Sequence, residues 1–192
     1  MIPPRPADVR AHSAESTDIR EVIDRLNHMQ KSGIIRHYAI GGAVGASFYI
    51  EPLETEDVDV FMPFPGAFLI SPQPMIDYFR QHGATLPASN EASAGQVLYH
   101  GWLVQFLPPS GTLAEEGIAQ AVSFEVDQNL RARVMTLEHL AALALQTGRA
   151  KDKARLLQFL ESGKLDMSRF TSIVGAHGLT GLWTAFKTAF KL

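Results

Sequence analysis

The chain contains no cysteine, which removes disulfides, thiolate metal sites and cysteine nucleophiles at once. Charge is scarce as well. Only 19% of the 192 residues are Asp, Glu, Lys or Arg and the formal net charge is -3, so the composition offers no broad basic face for duplex nucleic acid. No apolar run approaches the roughly 20 residues that a membrane-spanning helix needs. The opening residues MIPPRPADVR lack the apolar centre of a signal peptide, and the expected location is therefore cytoplasmic. Repeats and low-complexity segments are also missing. What remains is a globular composition, 46% hydrophobic, long enough for one sizeable core or a core with a small appendage.

The densest stretch of signals is residues 38–62, YAIGGAVGASFYIEPLETEDVDVFM. It reads as a buried strand ending in Gly41-Gly42, a small-residue helix over 43–49, a turn at Pro52, and a second strand carrying Asp57-Val58-Asp59. Period-two alternation puts Asp57 and Asp59 on one face of that strand and Val58 and Val60 on the other. Two neighbouring carboxylates repel each other, and a divalent cation between them is the usual remedy. Glycines at a strand end before a helix let backbone N–H groups approach an anion, although a tight strand-to-helix turn requires the same residues.

The remainder predicts an α+β fold, a mixed sheet flanked by helices with a helical tail. Residues 1–15 read as a loose arm, 16–135 as the core and 136–192 as a C-terminal helical region packed on it. Ser16 or Thr17 is suited to cap a first helix carrying Ile19, Val22, Ile23, Leu26 and Met29, with Gly33 as its stop. Residues 34–40 are expected as the first strand. A proline-rich loop over 63–74 leads to a helix with Met75, Ile76, Tyr78 and Phe79, and a small, polar loop over 84–95 follows. Residues 96–99 and 102–107 form a hairpin through His100-Gly101. A short helix over 112–121 and strands over 122–126 and 131–135 come next. Thr136 opens a helix with Leu137, Leu140, Leu143 and Ala144 on its apolar face, and helices continue to a Trp183, Phe186, Phe190 stripe expected in a core or a docking face.

The pattern Gly41-Gly42, small helix, Thr55, Asp57-Val58-Asp59 resembles the first motif of the DNA polymerase β-like nucleotidyltransferase superfamily. Arg149-Ala150-Lys151-Asp152 is similar to the Arg-x-Lys-Asp motif of its AbiE-type toxin branch. The resemblance spans roughly residues 34–160. It implies that Asp57 and Asp59 are catalytic and hold Mg²⁺, with a nucleoside triphosphate as substrate. Gly41, Gly42 and Thr55 would lie at the nucleotide, and Arg149 and Lys151 would neutralise phosphate charge. The acceptor is a hydroxyl on a protein, RNA or small molecule, and an antitoxin-like protein is a further implied partner.

Three positions depart from that pattern. Gln105 stands where a third carboxylate belongs, Leu145 or Ala144 replaces a lysine, and Arg155 replaces an acidic residue. Glu125, Asp127 and, more weakly, Glu56 are candidate replacements for the carboxylate. His37, His100 and His139 lack metal-ligand spacing and read as surface or satisfied core residues. Ser47 and Ser123 lack the context of a hydrolase elbow. An enzyme and a catalytically degenerate module that binds nucleotide or protein are therefore both consistent with the chain.

Overall fold

Apolar residues at helical spacing build α1 (Ile19–Lys31), whose Ile19, Val22, Ile23, Leu26 and Met29 are all buried. Its cap is Asp18, whose carboxylate accepts the Arg20 backbone N–H at 2.9 Å. The computed structural model describes residues 18–51, 55–64, 71–87 and 95–192. The arm over 1–15, the capping roles of Ser16 and Thr17, the turn at Pro52, half of the loop over 63–74 and most of the loop over 84–95 therefore lie outside the described residues.

The first strand is shorter than the sequence predicts. The backbone N–H groups of Ile34 and Ile35 both turn back to the Met29 carbonyl, so those residues finish the helix. Pairing begins only at β1 (Ala39–Ile40), which lies antiparallel to β2 (Asp57–Phe61) with Ala39 opposite Phe61. Between them comes α2 (Gly42–Ser47). The helix α3 (Gln73–Gln81) begins earlier than its apolar residues, with Pro74 in the first turn, where a missing N–H costs nothing.

The strands β3 (Gln96–Tyr99) and β4 (Trp102–Leu107) form the expected hairpin. His100 and Gly101 have φ of 47° and 76°, the left-handed pair that a two-residue type I′ turn demands. After α4 (Thr112–Ala119) come β5 (Val122–Asp127) and β6 (Leu130–Val134), another antiparallel pair. The chain ends in α5 (Leu137–Thr147), α6 (Ala150–Glu161), α7 (Met167–Ala176) and α8 (Thr180–Phe190). None of the helices is long and apolar enough to cross a membrane among the described residues.

The six strands make one mixed sheet in the order β3-β4-β2-β1-β6-β5, with β2–β4 and β1–β6 parallel. Its two faces have different fates. Val58, Val60, Val97, Val104 and Phe106 join the residues of α1 and α3 in one apolar core. On the opposite side a second core gathers around α5, which packs against α2, α4, α6, α7 and α8. Trp183 and Phe186 are buried there, Trp183 meeting Phe170 edge-on at 5.1 Å, while Phe190 remains 39% exposed. A polar chain also ties these helices together. The Nε2 atoms of His139 and His177 lie 3.4 and 2.8 Å from the two oxygens of Glu116, and Thr136 Oγ1 lies 2.8 Å from His139 Nδ1. His139 is thus a satisfied core histidine.

Phe159 of α6 is fully buried in the second core. Phe159→Ala is expected to cost about 3–5 kcal/mol in denaturant unfolding; a loss below about 1 kcal/mol would contradict this packing.

Candidate functional site

Strand alternation sets the first half of the site. On β2, Val58 and Val60 are buried in the α1–α3 core, and Asp57 and Asp59 point to the other face, Asp57 exposed and Asp59 half-buried. The Gly41 backbone N–H donates to the Asp59 carbonyl at 2.9 Å, which locks the strand-to-helix turn onto this strand. Gly42 follows at φ 58°, and a Cβ there would stand 2.0 Å from Asp59 Oδ2. A Cβ on Gly41 would meet the Phe61 ring at 2.5 Å. Both glycines are required because the backbone passes this close to the carboxylate and its neighbour. Thr55 fixes the start of the strand: its Oγ1 accepts the Asp57 N–H at 3.2 Å and donates to the Asp57 carbonyl at 3.3 Å.

The second half comes from α6. Arg149, Lys151, Asp152 and Arg155 occupy its first turns, where residues three and four apart share a face. Asp152 is buried and organises the arginines: Arg149 Nε donates to it at 2.6 Å, and Arg155 Nη1 lies 3.7 Å away. Arg149 is largely exposed, whereas the Arg155 side chain is only 16% exposed. A cleft of about 490 Å³ separates the two halves, lined by Thr55, Glu56 and Asp57 on one side and Lys151, Arg155 and Gln158 on the other. A smaller recess beside it is lined by Gly42, Asp59, Ala144, Arg149, Asp152 and Arg155. Arg155 thus faces both carboxylates, one from each cavity.

The electrostatics follow from this layout. Burial pushes the Asp59 carboxyl above its usual range, Asp57 pushes the same way, and Arg155, Lys151 and Arg149 pull it back only in part. Burial likewise lowers the Arg155 guanidinium from the usual arginine range, opposed by Asp152 and Asp59. Thus Gly42, Thr55, Asp57 and Asp59 of the first motif and Arg149, Lys151 and Asp152 of the second line this cleft or the recess beside it.

The departures also have places. Gln105 of β4 stands directly beside Asp59 in the parallel pair, on the same face of the sheet. Glu125 and Asp127 do not replace it. They lie on β5 at the far edge of the sheet, three strands from β2, or about 14 Å at the usual strand spacing. There Asp127 pairs with Arg20 and Glu125 with Arg131. Glu56 remains at the cleft rim, exposed. Ala144 and Leu145 belong to the apolar second core, with Ala144 at its edge lining the recess beside Asp59.

These residues fit one divalent cation. Two carboxylates share a face, and glycine gives one of them room, but no group of three His, Asp or Glu suited to a metal exists among the described residues. Arg155 is the contributor that sequence reasoning passed over, since it read as a departure from an acidic position. Its signal was helical spacing: Lys151 and Arg155 are four residues apart and share a face.

No family model and no curated protein matches the chain. Solved structures do match in fold. An antigenic nucleotidyltransferase-like protein from Paracoccidioides brasiliensis superposes with a TM-score of 0.58 at 13% identity, covering 90% of this chain and 94% of that one. ANT(2")-Ia in complex with adenylyl-2"-tobramycin gives 0.51 at 14% identity, covering 90% and 98%. The solution structure of the antibiotic-resistance factor ANT(2'')-Ia gives 0.51 at 13%, covering 93% and 95%. The chain therefore has the nucleotidyltransferase fold, as its α+β mixed sheet and first motif lead one to expect.

Two outcomes follow from the geometry. Gly42→Ala is expected to destabilise the protein by about 1–3 kcal/mol, because both the positive φ and the Asp59 contact oppose a methyl group; an unchanged melting temperature would contradict that contact. Asp59 binds its proton more tightly folded than unfolded, so without divalent cations stability declines as pH rises through the raised value. Asp59→Asn should remove that decline and melt above the native protein at neutral pH, and a lower melting temperature would contradict the assignment.

Proposed function

We propose that the chain is a Mg²⁺-dependent nucleotidyltransferase, moving a nucleoside monophosphate from a nucleoside triphosphate to a hydroxyl acceptor on a protein, RNA or small molecule. The observation that carries this reading is the pairing of Asp57 and Asp59 on one strand face with cationic α6 across a single cleft. In this reading the core over 16–135 supplies the carboxylates and the helical region over 136–192 supplies the cations. Cytoplasmic residence, the AbiE-type affinity and an antitoxin-like partner belong to the same proposal.

Asp57 and Asp59 would hold the metal, and Thr55 keeps Asp57 in register through its backbone. When bound there, Mg²⁺ would neutralise triphosphate charge and make an acceptor hydroxyl a better nucleophile. Gly41 has committed its N–H to Asp59, so its contribution is to the turn, and the close approach to phosphate falls to Gly42. Lys151 offers a mobile point charge to the phosphates, while Arg149, held by Asp152, supports the charge around it. In the transfer, the acceptor oxygen bonds to the α-phosphorus, the bond from that phosphorus to its bridging oxygen breaks, pyrophosphate leaves and the acceptor proton passes to solvent. Positioning and electrostatics supply most of the acceleration in such reactions. ANT(2")-Ia, solved with adenylyl-2"-tobramycin, makes an adenylylated small molecule the first product class to assay.

Gln105 favours a second reading, a degenerate module that binds nucleotide or protein without turnover, since an amide beside Asp59 neither accepts a proton nor holds a metal well.

A thermal-shift series with the four ribonucleoside triphosphates, with and without Mg²⁺, separates the outcomes. Native-state binding at a hundredfold excess over Kd stabilises by about 2.7 kcal/mol. We expect a Mg²⁺-dependent shift for at least one triphosphate that Asp57→Ala abolishes; a full response in that variant would refute the metal placement. Gln105→Asp is expected to raise any measured transfer rate, and no gain at saturating Mg²⁺ would count against the position assigned to Gln105.

A further inference from the structure

We infer that Arg155 is a triphosphate-binding residue of this site, its guanidinium donating to non-bridging phosphate oxygens between Asp57 and Asp59. The inference rests on the nucleotidyltransferase reading and adds to it a group that the sequence pattern would make acidic. Three observations carry it.

The first is position. Among the described residues, Arg155 alone lines both the cleft that contains Asp57 and the recess that contains Asp59. A phosphate chain lying against both carboxylates and their cation must pass this side chain.

The second is incomplete pairing. The Arg155 side chain is 16% exposed, and among the described residues its Nε is buried without a hydrogen-bond partner and its only ion pair is a 3.7 Å contact with Asp152. That carboxylate is already taken at 2.6 and 3.3 Å by Arg149. A guanidinium withdrawn from water and left with a second-hand partner is costly, and an anion that uses its fork offsets the cost. Its planar donors match phosphate oxygens in pairs, which a lysine cannot do.

The third is charge. Asp57 and Asp59 suffice for one divalent cation, Gln105 adds no charge, and no further carboxylate or histidine completes a second metal site among the described residues. A triphosphate carries several negative charges, so a site limited to one cation needs fixed positive charge on its far wall. Lys151 and Arg155, four residues apart on α6, supply it.

Isothermal titration with inorganic tripolyphosphate at constant Mg²⁺ tests this on the full chain without requiring turnover. Arg155→Gln is expected to weaken tripolyphosphate binding on the order of 10- to 100-fold, the loss of one charge-assisted donor pair, while Mn²⁺ titrated alone binds at least as tightly as to the native protein, since a positive charge beside Asp59 has been removed. Arg155→Lys, which keeps the charge and the aliphatic stem but loses the fork, is expected to weaken it roughly 3- to 10-fold. If the Gln variant fails to fold, the Lys variant decides by the same measurement. Native-like tripolyphosphate affinity in either folded variant would overturn the role of Arg155 and leave the nucleotidyltransferase reading standing. Failure of the native protein itself to bind tripolyphosphate with Mg²⁺ would overturn both.

Discussion

The close approach of Gly42 to the Asp59 carboxylate is the contact on which the site depends. A strand, a turn and a helix meet there, and a side chain at residue 42 would occupy the place of Oδ2. With the Gly41 N–H spent on the Asp59 carbonyl, the turn and the acid are held by one another. That explains why glycine stands both at the cap and at the first position of α2. It also explains why Asp59 sits half-buried beside a second carboxylate, an arrangement that costs free energy unless a cation compensates it.

The sheet then distributes charge by register. Alternation along β2 commits its valines to the α1–α3 core and sends both acids to the other face, where Gln105 stands next to Asp59. The C-terminal helices cover part of that face with apolar residues around α5 and leave the strip above Asp57 and Asp59 to α6. Since α6 opens with Arg149, Lys151 and Arg155, the acidic strand faces a basic helix across solvent. Asp152 keeps that helix from being purely repulsive by binding two arginines at once.

Much of this was readable from residues. The pairing of Asp57 with Asp59 follows from a period of two, the His100-Gly101 hairpin from its turn chemistry, and α5 from a threonine cap followed by leucines. Other features were not readable because they depend on which elements meet. Ile34 and Ile35 look like strand residues, yet their N–H groups finish the helix before them. Glu125 and Asp127 have the right alternation, but only strand order reveals that they lie at the opposite edge. Arg155 is conspicuous only once α6 is placed over β2, because sequence distance separates it from the carboxylates it faces.

Anomalous diffraction from crystals grown with Mn²⁺ and a non-hydrolysable nucleoside triphosphate tests the central claim most directly. The account predicts one Mn²⁺ peak held by Asp57 and Asp59, with the phosphate chain extending from it toward Arg155 and Lys151. A Mn²⁺ peak away from both aspartates, or phosphates bound elsewhere on the fold, would contradict it.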